Sequence, residues 1–263
     1  MKSLIQKLLT VPGPSGYESK IRAVIQAEIE QHADEIQVDA LGNLIARKGR
    51  GDVKIMMAAH MDEIGIIATH VDDQGFVRFT NIGGVSPRYC PAGRVRFLDG
   101  TPGVIGTENI KNAYEVPPLT KMFIDVGATS KKDCPVKVGD VASFERPLTI
   151  MGDRLVSKAM DDRISVAVMI ETMRSMEDSP HELYFVFTAQ EEVGVRGATT
   201  AAYSIDPDIG LAIDVTRTGD TPKGITMAVS LGQGPAIKVK DSGMIVDPSV
   251  VNWMVKSADK AKI

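Results

Sequence analysis

The chain has 263 residues, 43% of them hydrophobic and 24% charged, a composition typical of a folded globular protein. The formal net charge is −4 and basic residues form no tract, which argues against a nucleic-acid partner. No apolar run approaches the roughly 20 residues that span a bilayer, and the N-terminal apolar stretch is too short for a signal peptide. Two cysteines, Cys90 and Cys134, form no metal or redox motif, so we predict a cytoplasmic protein without a membrane segment.

The first quarter of the chain predicts short helices, a hairpin and one buried strand. The opening residues read as a short helix, and Ser15 with Glu18 has the spacing of a capping box before a second, amphipathic helix. Residues 36–49 predict a hairpin around a Gly-Asn turn. Residues 53–59 are continuously apolar, as expected of a strand that is covered on both faces.

The middle of the chain, from about residue 66 to residue 155, has a different texture. Short alternating runs are separated by Gly, Asp and Pro, and no convincing helix interrupts them. Strands that are this short and evenly spaced predict a small β-barrel or sandwich.

Alternation of helix and strand returns after this region. We predict helices over 161–176, 196–204 and from Asp247 onward, and strands over 183–187, 209–213 and 235–239. The chain is therefore predicted to be an α/β protein whose mostly parallel sheet, flanked by helices, is interrupted by an all-β, barrel-like domain. The predicted boundaries are 1–66 and 156–263 for the two parts of the α/β domain and 67–155 for the insertion.

Three of the apolar strands run directly into residues that bind metals well. The first ends at His60, with Asp62 two residues later; the second is followed by Glu191 and Glu192; the third by Asp214. Ligands of open parallel sheets bind outside the carboxyl ends of the strands, so these side chains could converge on one crevice. Asp161 and Asp162 lie at the start of a predicted helix, and Asp161 could point into the same crevice from the loop before it; Asp162 is assigned no role.

This set of side chains suits a catalytic metal ion. Imidazole and carboxylates without thiolates fit zinc, cobalt or manganese better than a structural zinc site. Asp62 can accept the second ring N–H of His60 and fix its tautomer. Of the adjacent glutamates, one can bind metal while the other takes a proton from a water that the metal activates.

Each of these features also has a simpler interpretation. Two glutamates after a strand are common in solvated turns, two aspartates before a helix are typical of an N-cap, and Asp214 could be a turn residue. The repeated occurrence of an apolar strand followed by a metal-binding residue is what favours a metal-dependent hydrolase.

Four motifs in order carry a resemblance to a known family: AAHMDEIG (58–65), KAMDDR (158–163), TAQEEVG (188–194) and AIDVT (212–216). At these motifs the sequence resembles the cytosolic metallo-aminopeptidases of the glutamyl and deblocking aminopeptidase family, the TET-type peptidases. The likeness covers essentially the whole chain, including VPGPSGYE (11–18) and the β insertion.

The resemblance implies an enzyme that removes N-terminal residues from peptides with a pair of divalent ions, zinc or cobalt. The resemblance implies that His60 and Asp214 bind the first ion and that Glu192 binds the second. It implies that Asp161 bridges the two ions. Glu191 is the general base and Asp62 orients His60. The β domain would form a homodimer, and dimers of this family assemble further into hollow dodecamers.

Family members continue past residue 263, and that segment carries a histidine that binds the second ion. His32, His70 and His181 match no such position, so we expect the second metal site of this chain to be incomplete and some of its sheet to be exposed. The alternative function is therefore a truncated, catalytically disabled homologue that acts as a metal-binding or assembly module.

Overall fold

A computed structural model describes residues 1–110, 112 and 114–263 of the protein. Its helices are α1 (Lys2–Thr10), α2 (Ser19–Ile29), α3 (Met160–Ser175), α4 (Arg196–Ile205) and α5 (Pro248–Ala261). Its strands are β1 (Glu35–Val38), β2 (Leu44–Lys48), β3 (Lys54–His60), β4 (Gly65–Val71), β5 (Val77–Ile82), β6 (Arg94–Phe97), β7 (Pro102–Thr107), β8 (Met122–Asp125), β9 (Val141–Phe144), β10 (Thr149–Met151), β11 (Arg154–Val156), β12 (Glu182–Thr188) and β13 (Ile209–Ala212). None of the helices in this described part has the length and apolar character needed to cross a membrane.

The chain forms two compact units, residues 1–215 and residues 216–263. The first contains a sheet with its helices and a barrel. The second contains α5, whose N-terminus is capped by Asp247 as predicted: the Asp247 side chain accepts a hydrogen bond from the backbone N–H of Ser249.

A five-stranded sheet in the order β1-β2-β12-β3-β13 forms the centre of the first unit. β3 runs parallel to both of its neighbours, β12 and β13, and the β1-β2 hairpin adds to β12 in antiparallel fashion. Thr188 at the end of β12 pairs with His60 at the end of β3, and Ala212 of β13 pairs with Ala58. The chain therefore leaves all three parallel strands at the same edge of the sheet, and the predicted α/β class is confirmed.

Helices cover both faces of the sheet. Successive side chains along a strand point to opposite faces and pack into two separate apolar clusters. Phe185 and Phe187 of β12 point into the larger cluster, with the apolar faces of α1, α2 and α3. Val186, between them, points to the other face and packs with Ala201 and Ile205 of α4. Both phenylalanines are fully buried, so truncation of either to alanine should cost about 3–5 kcal/mol of folding free energy.

The region between β3 and α3 contains a closed six-stranded barrel in the order β4-β5-β8-β7-β6-β9. Its interior holds an apolar cluster of its own, with Ile66, Val77, Val95 and Ile124 completely buried. Closure removes free strand edges, which short strands could not otherwise protect. Of the two predicted forms, barrel or sandwich, the structure has the barrel, followed by the small β10-β11 hairpin.

Two local predictions are wrong. The capping box is absent: α2 begins at Ser19, and no side chain caps its N-terminus. The strand over residues 235–239 is also absent, because this exposed segment has no partner strand among the described residues and leads into a tight turn. The side chain of Asp241 holds that turn by accepting hydrogen bonds from the N–H groups of Gly243 and Met244.

Candidate metal centre

His60 is the buried centre of the candidate site, with 3% of its surface exposed at the end of β3. Its Nε2 lies 2.9 Å from Oδ1 of Asp161 and 3.8 Å from Oε2 of Glu191. Its Nδ1 lies 3.3 Å from Oδ1 of Asp62. Burial disfavours the charged imidazole, but hydrogen bonds to Asp161 and Asp62 outweigh it and raise the pKa of His60 to about 11. A cation that binds at Nε2 must therefore displace a proton.

Asp161 reaches His60 because the chain enters α3 irregularly. Ala159 has a left-handed backbone, with φ of 52°. Asp161 and Asp162 lie within the bounds of α3 but have non-helical dihedral angles, so the regular helix begins after them. The side chain of Asp161 bonds to His60, whereas that of Asp162 hydrogen-bonds to Ser165, three residues further along α3. The side chain of Asp161 is 59% exposed and is therefore accessible to a ligand from solvent.

His60, Asp161 and Asp214 together offer ligand atoms that lie within 4.8 Å of one another. Three of the four metal ligands implied by the family resemblance thus lie side by side at the edge of the sheet. Glu192 does not belong to this group, although its backbone N–H donates to Asp62, which faces His60. His32, His70 and His181 lie outside it as well. One imidazole and two carboxylates fit a catalytic divalent cation such as zinc or cobalt.

Glu191 and Glu192 both have raised pKa values. Burial raises the pKa of Glu192 to about 7, and the neighbouring charge of Asp161 adds to the increase. Burial also raises the pKa of Glu191, with further contributions from Asp214 and Asp62. Carboxylates that resist ionisation in each other's presence are stabilised as anions by a cation placed among them, which supports the fit of this site to metal ions.

Asp62 is completely buried and connects the two strand ends of the site. Besides facing His60, it accepts the backbone N–H groups of Glu191 at Oδ1 (3.0 Å) and of Glu192 at Oδ2 (3.2 Å). Burial works against its charge, but hydrogen bonds from His60 and Ser15 outweigh burial and keep the pKa of Asp62 below its usual value. One carboxylate therefore faces the imidazole and also binds the backbone that carries both glutamates.

We expect Asp62→Asn to weaken metal binding by about 10–100-fold, because hydrogen-bond partners behind a metal ligand have effects of that size. Asparagine has one oxygen and one NH2 group where Asp62 has two accepting oxygens. The NH2 group would face hydrogen-bond donors and leave them unpaired. A zinc or cobalt titration of the purified variant measures the effect. Ser15→Ala, which removes only the hydroxyl donor to Asp62 Oδ2, is the control and should change the affinity less. An unchanged affinity in Asp62→Asn would refute this role.

Asp162, to which the sequence assigned no role, anchors the backbone of the histidine. Its Oδ2 accepts the backbone N–H of His60 at 3.2 Å, and its side chain is completely buried. Burial raises the pKa of Asp162 to about 8. Asp162 thus holds the entry to α3 against the end of β3.

Glu63 ties both the barrel and the approach to α3 to the same strand end. Glu63, directly after Asp62, lies 2.7 Å from Nζ of Lys158 and accepts a hydrogen bond from the hydroxyl of Ser143 in β9 at 3.1 Å. Both charged side chains are largely buried. The segment that carries His60 and Asp62 is therefore fixed between the barrel and the approach to α3.

Sequence reasoning missed the part that the α1–α2 loop plays at this site. Ser15, predicted to be an N-cap, instead donates its hydroxyl to Asp62 Oδ2 at 2.6 Å. Glu18, predicted as its capping partner, accepts the backbone N–H of Gln190 at 3.1 Å. The prolines and glycines around Ser15 were the available signal, because they favour a loop over the start of a helix.

The α/β sheet with its inserted barrel places the protein in the zinc-peptidase-like class of folds. It superimposes on an aminopeptidase from the archaeon Desulfurococcus kamchatkensis with a TM-score of 0.94 and 42% identity, covering 99% of this chain and 77% of that one. Residues 42–263 match the family described as M42 glutamyl aminopeptidase. The chain belongs to this metallopeptidase family, which confirms the resemblance carried by the four motifs and implies bound divalent metal ions.

Two further proteins illustrate the range of the similarity. A putative aminopeptidase of Acetivibrio thermocellus is 47% identical over 266 residues, which cover all of this chain and 80% of that protein. The TET1 peptidase of Pyrococcus horikoshii, which can assemble into a tetrahedron or a large octahedral shell, has a TM-score of 0.90 at 33% identity, covering 100% of this chain and 82% of that one.

Proposed function

We propose that this protein is a metal-dependent aminopeptidase that removes N-terminal residues from peptides. The observation that carries the proposal is the group of His60, Asp161 and Asp214 at the edge of the sheet, with the carboxylate of Glu191 directed at the same imidazole. His60 and Asp214 would hold one ion, Glu192 a second, and Asp161 would be shared between them. Zinc or cobalt ions bound there would polarise the peptide carbonyl and lower the pKa of a water molecule.

Glu191 is the residue that moves the proton in this proposal. It removes a proton from the attacking water as the new C–O bond forms, and it delivers a proton to the leaving amine as the C–N bond breaks. Burial raises the pKa of Glu191 in the metal-free protein, and a weaker acid is a better base for the first of these steps. Asp62 keeps the backbone of Glu191 fixed while this happens.

Hydrolysis of a panel of aminoacyl chromogenic substrates tests the proposal. Release of the chromophore with added zinc or cobalt, its loss with a chelator, and no release from N-acetylated versions of the same substrates would support an aminopeptidase. The acetylated substrates are the matched control, since they differ only in the free amine. Bound metal without turnover on any substrate would contradict the proposal and favour a metal-binding module.

We expect Glu192→Ala to reduce the metal content of the protein. Its carboxylate lies in the negative cluster beside Asp161, and its loss removes the ligand that we assign to the second ion. Metal analysis after dialysis against zinc should show a lower content than in the wild-type protein. Glu177→Ala, a surface acid outside the site, is the control. Full metal content in Glu192→Ala would exclude Glu192 as a ligand.

We further propose that residues 67–155 form a dimerisation domain and that the dimers assemble into a dodecamer in the cytoplasm. The support is the shell-forming TET1 peptidase of Pyrococcus horikoshii, which shares the fold. Light scattering of the purified protein measures the mass directly, and a monomer at micromolar concentration would contradict this part of the proposal.

A further inference from the structure

The loop between α1 and α2 joins the two segments of the candidate site. The backbone N–H of Gly13 donates to Oε1 of Glu63 at 2.9 Å, and the N–H of Glu63 donates to the carbonyl of Gly13 at 3.0 Å. The N–H of Ser15 donates to the carbonyl of Glu63 at 3.3 Å. This side of the loop is therefore fixed to the residues that follow His60.

Glu18 makes the connection on the other side of the loop. Only 4% of this residue is exposed, and its Oε1 accepts two backbone N–H groups, from Gly16 at 2.7 Å and from Gln190 at 3.1 Å. A glutamate is seldom buried this completely unless its oxygens have partners, so a specific structural need is expected here.

Gln190 requires such support because its backbone is left-handed, with φ of 56°. This conformation is unfavourable for a residue with a side chain, and it persists where neighbouring groups determine it. Glu18 holds the N–H of Gln190, while Arg196 donates its backbone N–H to the Gln190 carbonyl at 3.3 Å and its guanidinium to the Gln190 side chain at 3.0 Å. The next residue along the chain is Glu191, whose direction follows from this turn.

We propose that Glu18 is a positioning residue for Glu191, fixing the left-handed turn at Gln190 that aims the Glu191 carboxylate toward His60. The catalytic part of this inference rests on the proposed function of Glu191 as the base. The structural part does not, because it concerns only the backbone at Gln190. Asp62 holds the N–H groups after the turn and Glu18 the one before it, so removing Glu18 frees one side of the turn.

Hydrogen–deuterium exchange of the metal-free protein and steady-state kinetics of the metal-loaded protein test this inference together. In Glu18→Ala we expect the backbone N–H of Gln190 to exchange at least 10-fold faster, while the backbone N–H groups within β12 keep their protection. We expect kcat to fall by about 10–100-fold with KM within twofold, since small misplacement of a reacting group has effects of that size. Glu18→Gln keeps an oxygen acceptor in the same place and should restore most of both properties.

Glu30→Ala is the matched control, because Glu30 lies exposed at the other end of α2. If Glu18→Ala does not fold, Glu18→Asp replaces it: the charge stays, but the carboxylate is withdrawn by one methylene group. Unchanged exchange at Gln190, or faster exchange with unchanged kcat, would overturn the inference. A wild-type protein inert toward every substrate would instead refute the proposed function, and the exchange data alone would then decide the role of Glu18.

Discussion

Replacement of Glu191 with glutamine is expected to lower kcat by about 10²–10⁴-fold, the range that a positioned general base contributes. Glutamine has nearly the same shape but cannot take a proton from water. The backbone N–H of Glu191, which donates to Asp62, and its carbonyl, which accepts from Gly194 and Val195, are unaffected by the change. We therefore expect the fold, the metal content and KM to stay close to those of the wild-type protein.

Kinetics on a chromogenic aminoacyl substrate, together with metal analysis of the same preparation, measure this expectation. Glu30→Gln makes the same chemical change at an exposed position away from the site and should leave kcat within twofold. Turnover that survives in Glu191→Gln would show that another group acts as the base. A fall in kcat that is matched by a loss of metal would show that Glu191 is a ligand instead.

Replacement of Asp161 with asparagine is expected to remove metal and activity together. Asp161 is the residue that we assign to both ions, and a neutral amide lacks the charge to be shared between two cations. We expect kcat/KM to fall by about 10³-fold, which corresponds to about 4 kcal/mol of transition-state stabilisation. Since its side chain is 59% exposed, the substitution should leave the fold intact.

The measurements are metal stoichiometry, kcat/KM and the melting temperature of the metal-free protein. Asp153→Asn, in the exposed turn between β10 and β11, is the matched control and should behave like the wild type. Full metal occupancy with normal activity in Asp161→Asn would refute the assignment of Asp161. Loss of the cooperative melting transition in the metal-free variant would mean that the loss is structural.

The parts of the fold that the sequence predicts well are those in which a local pattern and the final packing agree. The continuous apolar run before His60 predicts a central strand, and β3 lies between two parallel neighbours. The nearly continuous apolar run in β12 predicts a buried strand, and its side chains pack into a cluster on each face of the sheet. The carboxyl ends of parallel strands lie at one edge of a sheet, which is why the sequence alone predicts that His60 and Asp214 lie close together.

The failures occur where a local pattern had two physical interpretations. Ser15 and Glu18 have the spacing of a capping box, yet both side chains turn toward residues about 47 and 172 positions away in the chain. Hydrogen bonds of that range leave no periodic trace in a sequence. The same limit applies to Asp162, which bonds to Ser165 of its own helix as a local pattern would suggest but also accepts the distant backbone N–H of His60.

The parallel pairing of β3 with β12 has a consequence for how this protein folds. Ala59 and Thr188, which meet at the ends of these strands, are 129 positions apart, and the whole barrel lies between them. Closing so long a loop is entropically costly and slow, and a barrel that forms first shortens the flexible part of that loop. During synthesis the barrel can thus be complete before β12 exists, and the ligand set of the metal centre is assembled only in the last stage of folding.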